Sequence, residues 1–277
     1  MRITIILSIY LCMKVFFADS FTNVPFKGNP AAVVLLDRTI STEKMQMIAS
    51  EIGYSETAFL LKEENDQYLI RFFTPKQELM LCGHATLASA YVLFQMENNS
   101  NLVFRNTDHQ RFELTNSQPG VTMFFPAYAV ESFVPPPQML EAIGIKAYKE
   151  GSYNRELKIV MIEIAEASLL KKLTPDFIKL ENSYSGIHGV LVTARGNEEG
   201  IDFVYRYFWP WAGTNEDPVT GGVQTFLTPY WATRLSKNQM VAVQPSARTG
   251  RMKTAVSDDR ISIVGEVVIT MEGELKV

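Results

Sequence analysis

Short runs of apolar residues, rich in β-branched and aromatic types, recur along the chain with Gly, Pro, Asn and Asp between them. That is the pattern of many short strands joined by turns. The runs predict strands over 15–19, 31–36, 57–61, 68–73, 102–105, 111–114 and 121–125 in the first half. In the second half they predict strands over 157–162, 189–193, 203–208, 240–244, 252–255, 260–263 and 267–271. Over 42–52 the period changes: Met45, Ile48, Ala49 and Ile52 share one helical face. A short helix over 138–143 follows Pro135, Pro136 and Pro137 and stops at Gly144. The proline run is the best boundary between an N-terminal lobe, 13–126, and a C-terminal lobe, 127–277, whose last strand can cross to the other lobe.

Two further segments read as helices with no polar face: HATLASAYVLFQM from His84 and VQTFLTPYWATRL from Val223. A helix that is apolar all round is buried all round, and each is too short to span a bilayer. The pattern implies a curled sheet around a central helix, once in each half. Both helices start just after a glycine turn, Cys82-Gly83-His84 and Thr220-Gly221-Gly222. Pro229 lies inside the second and is expected to kink or end its first segment.

Composition narrows the class. The chain has 277 residues, 47% hydrophobic and 20% charged, with a net charge of −4 and no basic cluster. Nucleic acid and acidic membrane surfaces are therefore not expected partners. The two cysteines, Cys12 and Cys82, fit a reducing, cytoplasmic setting. Residues 1–12 are a separate case. Arg2 and the apolar run after it look like a short signal-peptide core, which leaves secretion as the alternative. No small-residue cleavage site follows, and cleavage near residue 15 would remove a core strand, so 1–12 reads as an extension. Of the three histidines, His109 and His188 sit in no cluster, and no metal is expected.

Four segments carry a family resemblance: ADSFTNVPFKGNPAAVVLL (18–36), SETAFLL (55–61), RFFTPKQELMLCGHATLASAYVLF (71–94) and EDPVTGG (216–222), with the tail from Gly250. In this order and spacing they resemble the PhzF-like, phenazine-biosynthesis family. The resemblance implies an α+β, diaminopimelate epimerase-like fold of two pseudo-symmetric lobes, each a curled, mostly antiparallel sheet around a central helix. It also implies a ligand cleft between the lobes, no cofactor, and a homodimer. Residue by residue, it assigns Glu56 as acid/base carboxylate, His84 as a cleft histidine and Asp217 as a substrate-binding aspartate. Asn29 and Pro30 fall on a loop near the cleft, and Gly83, Thr220 and Gly221 on the helix-start turns.

The chain departs from the family pattern in three places. Ser-Ala-His after the EDPVTG segment is Gly222-Val223-Gln224 here, the residues before the CGHAT segment are Met80-Leu81, and an Arg-Gly-Gly in the tail is Arg248-Thr249-Gly250. The first removes a hydroxyl from the cleft.

The implied chemistry is proton removal and redelivery beside a carboxylate. Two buried helix N-termini offer free N–H groups and a positive dipole end to that carboxylate, with Gly83, Gly221 and Gly222 letting the backbone approach. Burial of Glu56 is expected to raise its pKa toward neutrality. Two readings stand: a cofactor-independent isomerase of a small carboxylate-bearing metabolite, and a weak or inactive relative that binds a metabolite or protein. A two-cysteine racemase is disfavoured, because Cys82 has no counterpart in the second lobe.

Overall fold

The computed structural model describes residues 12–63, 67–258 and 260–276; the segment 1–11 of the expected extension lies outside the described residues. The first lobe runs β1 (Cys12–Ser20), β2 (Asn29–Leu36), α1 (Thr42–Ile52), β3 (Thr57–Lys62), β4 (Gln67–Phe73), β5 (Glu78–Leu79), α2 (Gly83–Met96), β6 (Asn101–Arg105), β7 (Arg111–Asn116) and β8 (Val121–Pro126), then β9 (Glu131–Ser132). The second runs α3 (Pro137–Ile143), β10 (Glu150–Asn154), β11 (Ile159–Glu163), α4 (Ala167–Leu170), α5 (Phe177–Ser183), β12 (Gly189–Arg195), β13 (Phe203–Trp209), β14 (Thr214–Glu216), α6 (Gln224–Leu235), β15 (Gln239–Gln244), β16 (Gly250–Ser257), β17 (Arg260–Gly265) and β18 (Val267–Lys276). Cys12, assigned by sequence to the extension, is the first residue of β1 and pairs with Lys276.

The two lobes repeat one wiring. In the first, β1–β2 is antiparallel, β2–β3 parallel, β3–β4 antiparallel, and β4–β6 parallel across α2. In the second, β10–β11 is antiparallel, β11–β12 parallel, β12–β13 antiparallel, and β13–β15 parallel across α6. Each parallel step needs a crossover, and a helix supplies it. The lobes meet where β8 pairs with β17, equivalent strands of the two halves. Each lobe also lends its closing strand to the other: β18 pairs with β1, and β9 with β10. Many strand bonds therefore cross between the lobes, which makes them a rigid frame for anything held between them.

The helices that lack a polar face lie where that pattern requires. In α2, residues from His84 to Ala90 are all buried, and in α6 so are Gln224 to Thr228. Both helices share one hydrophobic core that includes Leu87, Val92, Phe226 and Trp231. A second core forms where α3, α4 and α5 cover β11 and β12, and a third lies under α1. α1 is closed by Ser41, whose hydroxyl accepts from Lys44 N, and by Gly53 at φ +71°.

Pro229 does not end its helix. α6 is continuous from Gln224 to Leu235. The carbonyl that a proline at 229 leaves without its helical donor is that of Thr225. Tyr128 N fills the place at 2.9 Å.

Thr249, one of the departures in the tail, stands where the backbone favours glycine. Its φ is +61°, a left-handed conformation that disfavours a β-branched residue. It is held there because its carbonyl accepts from Gly28 N at 2.8 Å and its own N–H donates to Ser246 Oγ. Thr249→Gly is expected to raise stability by about 0.5–1 kcal/mol, or about 1–3 °C in Tm. Thermal denaturation of both proteins checks this, and an unchanged or lower Tm counts against strain at Thr249.

Candidate active site

Glu56 is the residue before β3, and the parallel β2–β3 pairing fixes it: Ala32 N donates to the Glu56 carbonyl at 3.2 Å. His84 is the second residue of α2. Ser20, the last residue of β1, donates its hydroxyl to the His84 carbonyl at 2.8 Å. These supports bring Glu56 Oε2 to 3.1 Å from His84 Nε2, with both side chains buried. The contact is an ion pair without the alignment of a hydrogen bond, so a buried Glu56 oxygen still lacks a donor.

Burial works against charge on Glu56, but the neighbouring imidazolium outweighs it, and the carboxyl is held below its ordinary value. The expectation of a raised Glu56 pKa is thereby reversed. A carboxylate alone in an apolar cleft would be pushed up; one beside a buried cation is pulled down. Burial works against the imidazolium as well, but Cys82 and Glu56 beside the ring outweigh it and hold the His84 pKa well above the ordinary histidine value. Cys82 also touches the ring, with Sγ 3.5 Å from Nδ1. Burial pushes its thiol up, so it stays protonated and Glu56 carries the negative charge.

The raised carboxyl is Asp217, in the loop between β14 and α6. Burial pushes it up to about 6, against the pull of His84 and of its hydrogen-bond donors, and with a push from the Glu56 charge. Asp217 thus lies within electrostatic reach of the Glu56–His84 pair. Asn29 at the start of β2 reaches from the other lobe, donating to Asp217 Oδ1 at 2.8 Å and to the Val219 carbonyl at 2.9 Å. Thr220 donates its hydroxyl to the other Asp217 oxygen. Pro30 pairs within β2 opposite Asp19 and adds no side chain to this group.

Both helix starts border this group, His84 lying in the first turn of α2 and Thr220 in the turn before α6. Neither α2 nor α6 has a side-chain cap hydrogen bond at its start. In α6 the N–H groups of Gln224, Thr225 and Phe226 already donate to the carbonyls of Gly221, Gly222 and Val223, so the donors available to an anion there are those of the glycine turn before the helix, where the helix dipole favours negative charge. A Cβ at Gly83 or Gly222 would meet nothing within 4 Å, so these two starts are open; one at Gly221 would lie 2.9 Å from Phe21 Cζ. A serine at 222 therefore fits. Gly222→Ser should restore a hydroxyl donor and raise turnover by roughly tenfold or more, the worth of one hydrogen bond to a charged group. Equal or lower turnover in the folded variant would show that the lost hydroxyl does not limit this chain.

Sequence reasoning missed two supports. Gln244, at the end of β15, accepts from Thr220 N at 2.8 Å and donates to the Asp217 carbonyl at 2.5 Å, clamping the loop at both ends. The alternation of β15, which turns Met240, Ala242 and Gln244 inward, was the available signal. Arg248 binds Asp19 at 2.6 Å and the Gly28 carbonyl at 2.9 Å, fastening the loop before Asn29 to the second lobe. No pattern pairs residues that far apart. His109 and His188 are exposed and lie outside the site, and Cys12 is exposed with its thiol on Glu274.

The family comparison now decides the class. The family model for phenazine biosynthesis-like proteins matches residues 18–273. The chain belongs to the phenazine biosynthesis-like family. An uncharacterized isomerase of Pseudomonas aeruginosa is 39% identical over 267 residues, covering 95% of this chain and 98% of that one. The mouse phenazine biosynthesis-like domain-containing protein 2 is 36% identical, covering 95% and 99%. A crystal structure of a PhzF-family protein from Enterococcus faecalis matches with a TM-score of 0.91 at 34% identity, covering 96% and 100%. A hydroxyproline epimerase from Agrobacterium vitis, at 9% identity and a TM-score of 0.59, shares the fold alone. The phenazine biosynthesis-like chain thus has the α+β, diaminopimelate epimerase-like fold. None of its described helices is long and apolar enough to cross a membrane.

Proposed function

We propose that this chain is a cofactor-independent isomerase that moves a proton on a small carboxylate-bearing metabolite, with Glu56 as the transferring group. The observation that carries the reading is the buried Glu56–His84 pair, 3.1 Å apart, with Asp217 in electrostatic reach and no side-chain cap at the start of α2 or α6. The isomerase names of bacterial relatives support the same class.

The chemistry follows from the charges. The substrate carboxylate docks on the N–H groups at Gly83 and at Gly221 and Gly222. Asp217 accepts from the substrate's ammonium or hydroxyl. Glu56, ionised beside His84, takes the proton from the adjacent carbon. The negative charge that develops on the substrate is met by both helix dipoles, which need no rearrangement at that moment. A carboxylate held below its ordinary pKa is a weak base in the free protein. A second anion beside it, the bound substrate, raises its proton affinity at the point of use. Glu56 then returns the proton to a different carbon or face, which leaves the enzyme unchanged.

The test is deuterium uptake at carbon, followed by NMR, when the protein is incubated in D₂O with a panel of small amino and hydroxy acids. Uptake with at least one compound is expected. A second reading, a binding module with little catalysis, is favoured by the missing hydroxyl at Gly222. Compounds that bind without exchanging their carbon-bound hydrogen would establish that reading instead.

A further inference from the structure

Cys82 has no part in the proton transfer proposed above, yet its sulfur lies against the reacting pair. Glu56, Cys82 and His84 each offer one ligand atom, and these atoms lie within 4.8 Å of one another, all three residues being buried. We propose that this cluster is an inhibitory binding site for a soft divalent cation, Zn²⁺ or Cd²⁺.

The distances suit such an ion. With Zn–S near 2.3 Å and Zn–N and Zn–O near 2.0–2.2 Å, a tetrahedral site has ligand–ligand edges of about 3.3–3.6 Å. His84 Nε2 is 3.1 Å from Glu56 Oε2, while Cys82 Sγ lies 3.5 Å from Nδ1 and 3.9 Å from Nε2, so the sulfur must swing or the ring turn for all three to meet one ion on Nε2. The buried Glu56 oxygen that lacks an aligned donor has a lone pair to give. Three protein ligands leave the fourth position for a water, a coordination zinc adopts. A thiolate in the set selects Zn²⁺ and Cd²⁺ over Mg²⁺ and Ca²⁺. The charges also balance: a carboxylate, a thiolate and a dication sum to zero, which suits a buried site.

Binding forms the metal–sulfur, metal–nitrogen and metal–oxygen bonds and releases the thiol proton and the ring Nε2 proton to solvent. There is no change of oxidation state. The bound ion occupies the Glu56 oxygen that would otherwise receive the substrate proton, so exchange stops until the ion is removed. Inhibition rests on the isomerase reading; binding of the ion does not.

The test uses Co²⁺ as a visible stand-in, added to the chelator-treated full chain. A thiolate-to-cobalt charge-transfer band in the near ultraviolet, saturating at one ion per chain and bleached by Zn²⁺, is expected. Cys82→Ser should abolish the band, and Cys12→Ser should leave it intact, which separates this site from the exposed thiol beside Glu274. Calorimetry with Zn²⁺ should show affinity falling at least tenfold in Glu56→Gln. Should Cys82→Ser fail to fold, the wild-type band and its persistence in Cys12→Ser decide the question. No band in the wild type, or a band lost in Cys12→Ser, would overturn the proposal. A band in a wild-type chain that exchanges no substrate hydrogen would leave the metal site standing and the isomerase reading refuted. A wild type that does exchange should lose that exchange on addition of Zn²⁺ and recover it with chelator; exchange unaffected by saturating Zn²⁺ would refute inhibition.

Discussion

Glu56→Gln is expected to slow carbon-bound hydrogen exchange by about 10²–10⁴-fold, the usual worth of a positioned acid/base group. Binding of the same compound should weaken by no more than a few fold, because the helix starts and Asp217 hold the carboxylate and its neighbour, and Gln keeps the shape of Glu. The variant removes the negative partner of a buried pair, which ordinarily destabilises strongly. Here the cost is softened, because His84 can lose its proton once Glu56 no longer holds it. A Tm within a few degrees of wild type, with exchange lost, separates a chemical role from a structural one. Full exchange in the variant would remove Glu56 from the mechanism and leave Asp217 as the nearest other carboxyl.

The second large effect is expected at Asp217, and it depends on pH. Its native pKa of about 6 lies above the ordinary 3.8 of an unfolded aspartate. Between those values the native chain holds a proton that the unfolded chain has lost. Stability therefore falls as pH rises through this window. The full difference is about 3 kcal/mol, and the part exposure of Asp217 brings it to about 1–2 kcal/mol. Asp217→Asn, which can keep the bonds to Asn29 and Thr220, should be more stable than wild type by that amount at pH 7–8. Below pH 4 the two should converge. The other ionisable groups facing Asp217 are Glu56 and His84, whose charges offset each other, and the Tyr205 and Tyr207 hydroxyls, which burial keeps neutral. Denaturant unfolding of both proteins from pH 4 to 8 checks the convergence. A constant difference across that range would mean that Asp217 is ionised throughout. Turnover should fall in the same variant above about pH 6, where Asp217 is ionised and Asn cannot accept from an ammonium as a carboxylate does, and the gap should narrow at lower pH.

Much of this architecture is written in local pattern. The strands with alternating or continuous apolar runs and the two helices without a polar face were readable, because burial imposes those patterns directly on sequence. β10 was not, since GSYN carries small and polar residues on a strand whose buried positions are Gly151, Ser152 and Asn154. α5 escaped because its seven residues give too few turns for a period to show, with Leu180 its one buried residue. The site was legible only as far as motifs reach. Glu56, His84 and Asp217 could be named from their segments, but their protonation could not. That depends on a 3.1 Å approach between residues 28 positions apart, which reverses the effect of burial on Glu56 and leaves Asp217 as the raised carboxyl. Pro229 gives the same lesson: its helix survives because Tyr128, in a distant segment, donates to the carbonyl the proline leaves free.

The most direct test of the account is a side-by-side NMR measurement in D₂O of wild type and Glu56→Gln, each saturated with the same exchanging carboxylate compound. The account predicts deuterium at the carbon beside the carboxylate in the wild type and a rate lower by about 10²-fold or more in the variant. Equal rates in two folded, equally saturated proteins would contradict it.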